Sequence, residues 1–271
     1  MPNVSVPFDE LYDQTPLPAM SAAAQEAGAL LAAAPPAARF TTYPQFQQVL
    51  ARLQDPVTAL LKERLGAILP GLPWAQEDKP ELPEHGETWV VDPVDGVVQL
   101  IQGMPYYCVS IALVRDRRPV AAVLHAPALG ETYAAAAGHG ATRDGVPVTP
   151  TAKQLLRLSM LATSAPPDVA DQPSAADLAG RSLGAVLPVA GAVRNLGPTS
   201  WQIADVASGR LDGFWQYGRD AANLLPAALV AREAGVRVTD AAGDPWEPGS
   251  ASFVAAAPHL HDALLPYLPV T

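Results

Sequence analysis

The sequence predicts a mixed fold of the α+β / α/β class, and three observations carry that expectation. Helical apolar periodicity fills roughly the first seventy residues, short apolar runs between turn residues follow from residue 87, and helix-like and strand-like segments alternate towards the end. The composition agrees with a packed enzyme-sized chain: with 271 residues, 49% hydrophobic and only 16% charged, it must collapse around a sizeable core.

Each element has its own signal. "MSAAAQEAGALLAAA" spaces apolar residues at the helical period and stops before Pro35 and Pro36. "QFQQVLARLQDPVTALLKERLGAIL" continues in that period, with an interruption expected at Pro56. "TWVVD", "YYCVSIALV", "PVAAVLHA", "ETYAAAA" and "GATRDGVPV" read as an antiparallel sheet with tight turns. A Pro-, Asp-, Ser- and Ala-rich stretch between Ser164 and Ala179 reads as a loop between two lobes, the N-terminal α+β lobe spanning 1–155 and the C-terminal α/β lobe 156–271. Beyond it a helix is expected at 199–209, a strand at 211–217, a helix at 220–235, and strands at 236–240 and 252–256.

Charge and residue chemistry exclude several function classes. Lys plus Arg number 17 against 27 Asp plus Glu, and the formal charge of −10 without a basic run argues against nucleic acid or an anionic membrane as partner. The N-terminal region has no basic segment ahead of an apolar one, and the Ala-rich stretch is broken by prolines, so a cytoplasmic location is expected. Cys108, the single cysteine, sits in an apolar run and reads as a buried core thiol. His85, His125, His139, His259 and His261 lack the spacing of a two-histidine metal site and read as packing or surface residues; only His139, before the hairpin Gly140, invites a site role. Trp74 and Trp215 are candidates to line a cleft.

The most informative segment is "WVVDPVDGVVQL". An apolar strand ends in Asp92, Pro93, Val94 and Asp95 before Gly96 turns the chain. Pro93 fixes its own φ and holds Asp92 extended, which lets the Asp92 and Asp95 carboxylates converge with the Val94 carbonyl. An all-oxygen cluster suits magnesium. The backbone N–H groups of Gly96, Val97 and Val98 at a helix start are placed to bind phosphate oxygens. The same acids could instead merely cap an ordinary strand-to-helix turn.

The layout "DPVDGVVQLIQGMPYYCVSIALV" resembles the first signature of the inositol monophosphatase superfamily, Asp-Pro-Ile/Leu-Asp-Gly-Thr followed by a helix and a Gly-x-Pro turn. "GRDAANLLPAALVAREAGVRVTD" is similar to its second signature, Trp-Asp ahead of an Ala-rich helix ending in Arg-Glu-Ala-Gly. "HGATRDGVPV" and "LGPTSWQIADVASGRLDGFW" resemble the hairpin and the helix-strand unit between them, so the likeness runs in order over residues 70–256. The resemblance implies a layered αβαβα sandwich, magnesium as cofactor, a small phosphorylated substrate and a homodimer. It implies Glu77 of the upstream acidic pair Glu77 and Asp78 as a catalytic metal ligand beside Asp92, Val94 and Asp95, with Glu81 or Glu84 as substitutes. It also puts Gly197, Thr199 and Gln216 with Asp95, Gly96, Val97 and Val98 on the substrate side.

Two departures bear on activity. Val97 stands where the family has a hydroxyl-bearing Thr, and, counting back from Arg232, the family's Trp-Asp falls on Ala222 and Asn223. A neutral amide then replaces a carboxylate at the second metal, and weaker metal binding is expected. Asp220 lies three residues earlier and would need a shifted backbone to substitute. Gln99 and Gln216 also differ from the family's Asn and Glu. The readings left open are a magnesium-dependent phosphatase of a small inositol, sugar or nucleotide phosphomonoester with altered or reduced activity, an impaired member that binds a phosphorylated ligand or protein partner, and recruitment to a different reaction.

Overall fold

A computed structural model describes residues 15–34, 40–75 and 82–270. Helix α1, Leu17–Ala32, buries a stripe of Leu17, Met20, Ala23, Ala24, Ala27, Gly28 and Leu31. A methyl group on Gly28 would meet the His125 ring at 2.5 Å, so this helix lies against the sheet at a distance only glycine permits. Helix α2, Tyr43–Ile68, is fixed at its start by a capping box between Thr42 and Gln45 and buries Val49, Val57, Leu61 and Leu65. The interruption expected at Pro56 does not occur, since Pro56 lies inside this unbroken helix. Pro56 and Arg52 are not buried, so the carbonyl that loses its helical donor is open to water.

The middle of the chain folds as expected into an antiparallel sheet: β1 Glu87–Asp95, β2 Cys108–Arg115, β3 Arg118–Ala126, β4 Glu131–Ala136, β5 Ala141–Arg143 and β6 Val146–Pro147, in spatial order 1-2-3-4-5-6. The five-residue helix α3, Val97–Ile101, sits between β1 and β2. A second sheet has the order β10-β11-β9-β7-β8, built from β7 Met160–Ser164, β8 Ala192–Arg194, β9 Gly213–Tyr217, β10 Arg237–Thr239 and β11 Ser252–Ala256. β7 runs parallel to both its neighbours and the other pairs are antiparallel. Four more helices accompany it: α4 Pro173–Val186, α5 Thr199–Ala207, α6 Ala221–Glu233 and α7 Pro258–Leu264.

The 164–179 stretch is not a loop between lobes. Its second half is the start of α4, which opens on Pro173, a residue well suited to a first helical turn, and buries Ala175 and Leu178. The strand before it, β7, already belongs to the second sheet. Composition misled here because Ala and Ser are as compatible with a helix as with a loop.

Three cores order the layers. One packs α1 and α2 on one face of the first sheet through Trp89, Val91, Ile111 and Val123. The second lies between the two sheets and contains α5 and α6, with Val90, Leu124, Tyr133, Phe214 and Phe253 from the strands. The third sets α4 and α7 on the outer face of the second sheet around Trp215, Tyr217 and Val254. The result is the αβαβα sandwich, with α5 and α6 as its central layer. Trp215 is 1% exposed and its Nε1 donates to Ser182 Oγ at 2.9 Å, so it is a core residue and lines no cleft. Trp74 is half-buried beside Trp89, with the Lys62 ammonium over its ring.

Candidate active site

The acidic strand end acquires its geometry from a bulge. Trp89 and Val91 face the α1/α2 core while Val90 faces α6, so period two directs Asp92 to the α6 side. In the ladder with β2, Asp92 pairs with Ser110 but Asp95 pairs with Cys108, three steps on one strand against two on the other. The extra residue returns Asp95 to the face it would otherwise leave. Asp92 Oδ1 accepts the Val94 N–H at 2.9 Å, which closes the turn around Pro93.

Gly96 then reverses the chain at φ +88° and caps α3. A Cβ there would stand 2.8 Å from the Tyr106 carbonyl, so both conformation and space demand glycine. Val97 packs on the α1/α2 core, while Val98 is 58% exposed. The first turn of α3 has no helical acceptors for its N–H groups, so the amides expected to meet phosphate lie at an open helix start. Gln99 lies against Gly197, where a Cβ would come 2.1 Å from its Nε2. That contact ties α3 to the start of α5.

Asp95 is 7% exposed, and its Oδ2 accepts the Ser200 N–H at 3.2 Å and, closer still, the Ser200 hydroxyl. Burial raises its pKa to about 6 against the opposing effect of those bonds. Ser200 is a site residue that sequence reasoning missed, although adjacent hydroxyls behind a Gly-Pro at a helix start were a usable signal. Its Oγ also lies 3.3 Å from Cys108 Sγ, whose pKa is driven upward first by burial and then by the Asp95 charge. Cys108 is therefore the neutral core thiol expected.

Asp220 precedes the first residue of α6, one helical turn before Asn223. Its Oδ1 accepts the Asn223 Nδ2 at 2.8 Å and its Oδ2 accepts the Gln216 Nε2 at 2.9 Å. Asp220 and Asn223, three residues apart at a helix start, share a face. Burial, followed by the Asp95 charge among the raising causes, lifts the Asp220 pKa to about 7. Thr199 Oγ1 lies 2.9 Å from Ser164 Oγ and 3.4 Å from Gln216 Oε1, one hydroxyl hydrogen serving either acceptor, which joins the substrate-side candidates Thr199 and Gln216 to the acids.

Glu77, Asp78 and Glu81 lie outside the described residues. Glu84 is described, and Leu82, two residues before it, enters the central core. His125 bonds Thr132 Oγ1 and His261 bonds Thr239 Oγ1, as packing residues, and His139 turns the chain between β4 and β5.

The side chains that these elements offer are oxygen donors: the carboxylates of Asp92, Asp95 and Asp220 and the amide oxygens of Gln216 and Asn223. Among the described residues no three His, Cys, Asp or Glu side chains form a metal cage of their own. Magnesium is ordinarily held by one or two carboxylates, with water and substrate phosphate completing the shell, so the chemistry of this set fits it.

Fold and site together define a two-sheet αβαβα protein with an oxygen-lined acidic site where the first sheet meets the central helices. The model of the inositol monophosphatase family matches residues 15–269, and the chain belongs to that family. It is 33% identical over 231 residues to the inositol-1-monophosphatase SuhB of Mycobacterium tuberculosis, covering 78% of this chain and 77% of the relative. It is 30% identical over 177 residues to an inositol monophosphatase of Dictyostelium discoideum, 65% of each chain. Among solved structures, the inositol monophosphatase from Anabaena superposes with a TM-score of 0.80 at 26% identity, over 94% of this chain and 97% of the other.

Proposed function

We propose that this protein is a magnesium-dependent hydrolase of a small phosphomonoester, and that Asp220 takes up the carboxylate duty absent at Asn223. The observation that carries this reading is a pair of buried carboxylates, Asp95 and Asp220 at 7% and 9% exposure, with the Asp95 charge acting on Asp220. Two buried carboxylates are held above the ordinary range, and the interactions that shift them include no cationic side chain. Such a pair is neutralised by a proton or by a cation, and the oxygen-only surroundings favour a hard divalent one. The names of the relatives, inositol monophosphatases, support a phosphorylated polyol as substrate class.

In this reading Ser200 holds one Asp95 oxygen and leaves the other to face the site. Gln216 and Asn223 hold Asp220 in a single orientation, and Thr199 steadies Gln216. Gly96 lets an anion approach the backbone amides of the first turn of α3. Magnesium, when bound, supplies Lewis-acid stabilisation and an activated water. The two-lobe division at 155/156 belongs to the same reading, supported by the first sheet ending at Pro147 and the second beginning at Met160.

A second reading, an impaired member that only binds a phosphorylated ligand, is favoured by one observation: Val97 presents an apolar side chain packed into the core where a hydroxyl would otherwise be offered. The deciding experiment is phosphate release with magnesium from inositol, sugar and nucleotide monophosphates. The phosphatase reading requires turnover by the native protein that Asp95→Asn and Asp220→Asn each reduce by about a hundredfold or more, on the order expected for lost electrostatic groups. Turnover confined to a Val97→Thr/Asn223→Asp variant would establish the impaired reading.

A further inference from the structure

We propose that Ser110 is a positioning residue of the acidic centre, its hydroxyl holding the Asp92 carboxylate in the orientation that binds a cation. The inference rests on the reading of that centre as a magnesium site and adds a residue to it.

Ser110 lies in β2 and is 0% exposed, and its Oγ is buried with no hydrogen-bond partner among the described residues. Its setting makes a hydroxyl conspicuous. Along β2 the neighbours on the same face are Cys108 and Ala112, and across the ladder with β3 the partner is Leu124. All three belong to the central core, as do Leu224, Leu225 and Ala228 of α6, the helix packed over this face. Alanine would fill the position without leaving a buried donor uncompensated, so packing alone gives no reason for serine.

The remaining neighbour is Asp92. In the β1–β2 ladder the two residues are direct partners, and the register is regular from Glu87 to Asp92, with the bulge falling beyond it. Directly opposed residues of an antiparallel pair share a face with Cβ atoms about 4.5–5.5 Å apart, a gap that a hydroxyl and a carboxylate close by side-chain rotation. Asp92 Oδ1 accepts the Val94 N–H at 2.9 Å. A carboxylate accepts from about four directions, so one side chain can hold that turn, a cation and a hydroxyl together. Ser200 already donates in this manner to Asp95 from α5. Ser110 is placed to do the same for Asp92 from within the sheet, where its own backbone is fixed on both sides by the ladders with β1 and β3. Outer donors of this kind orient metal-binding carboxylates, and losing one costs about ten- to a hundredfold in metal affinity.

Calorimetric titration of the full chain with magnesium chloride, paired with thermal melts in chelator, tests the assignment. Ser110→Ala is expected to weaken magnesium binding by about tenfold or more. Its metal-free melting temperature should equal or exceed that of the native chain, since the substitution deletes an uncompensated buried donor. In an Asp92→Ala background the same change should bring no further loss of affinity, because its effect passes through Asp92. Native-like magnesium binding by Ser110→Ala, or the full loss repeated in the Asp92→Ala background, would overturn the role of Ser110; weaker binding by Asp95→Asn would then leave the magnesium reading standing without it. A lowered metal-free melting temperature for Ser110→Ala would assign the hydroxyl to the fold and overturn the proposal equally. A native chain that takes up no magnesium overturns both readings.

Discussion

Replacing Asp220 with asparagine should make the metal-free protein more stable in alkali and slightly less stable in acid. An unfolded Asp titrates near 3.8, whereas in the folded chain Asp220 titrates near 7. Below the lower value both states carry the proton, and the carboxyl contributes no pH dependence. Between the two values the unfolded chain releases its proton and the folded chain keeps it, so native stability falls as pH rises. Above 7 both are ionised and the loss is complete. At about 1.36 kcal/mol per unit of pKa the total is about 4 kcal/mol.

The variant removes this term but keeps most of the local bonding. The introduced amide would have one acceptor and one donor edge, and the Asn223 amide can rotate to match it, so the substitution sacrifices about 1 kcal/mol of hydrogen bonding. The expected outcome is a variant about 1 kcal/mol less stable at pH 4 and about 3 kcal/mol more stable at pH 8, with the curves crossing in between. Thermal melts in chelator, read by far-ultraviolet circular dichroism across that range, measure this. At about 2 °C per kcal/mol for a chain of this size, the gain at pH 8 is about 6 °C. Magnesium at pH 8 should recover stability for the native protein and less for the variant. Identical melting of the two proteins from about pH 5 to 8.5, or native stability that rises with pH there, would refute the account of a buried carboxylate held above its ordinary range.

Gly96→Ala forces a Cβ to 2.8 Å from the Tyr106 carbonyl at a left-handed backbone position, and a loss of about 2–3 kcal/mol is expected by urea titration. Pro56→Ala should raise the melting temperature, because it restores the helical bond to Arg52 in an exposed turn of α2, worth up to about 3 kcal/mol. Asp212→Ala should cost about 3 kcal/mol in the same titration: Asp212 Oδ2 accepts the Met160 N–H and the Lys153 ammonium, both at 2.7 Å, and the side chain is 1% exposed. Tyr133→Phe removes a hydroxyl that donates to Asp205 at 3.0 Å and shares a hydrogen with Ser208 at 2.7 Å. That variant should lose about 1–2 kcal/mol and lift the Asp205 pKa above its present value of about 6, visible by carboxyl carbon NMR.

The strands were legible because their signal is local. β11 falls on the expected 252–256, and the "TRDGVP" hairpin closes through Asp144 and Gly145 at positive φ, the conformation that Asp-Gly encodes. What escaped was decided by exposure or by distant partners. α2 carries Pro56 where the orphaned Arg52 carbonyl is open to water, and no linear pattern reports that exposure. Ser200, which holds Asp95 from 105 residues away, became visible only when α5 was set against β1. The bulge between Asp92 and Asp95 was implicit in Pro93, yet its effect on which face Asp95 occupies depends on the pairing with Cys108.

On the proposed reading, Asp220 offsets the carboxylate that the motif count finds missing at Asn223. Counting from the Arg-Glu-Ala-Gly end of α6 assigns the amide to the position of the family's carboxylate, and on that count alone the acidic site is one charge short. A helix, however, presents residues three apart on one face, so an acid at the residue before α6 reaches the ground occupied by the third residue within it. The hydrogen bond from Asn223 to Asp220 is the physical record of that overlap. The amide then serves as a donor that orients the carboxylate, a task an aspartate could not perform without repulsion. Asn223→Asp therefore should not simply restore a family site. It would crowd a third carboxylate against Asp220 and Asp95, and in the absence of cation the protein should be less stable above about pH 7. A rise in metal-free stability on that substitution would contradict the shared-face arrangement itself.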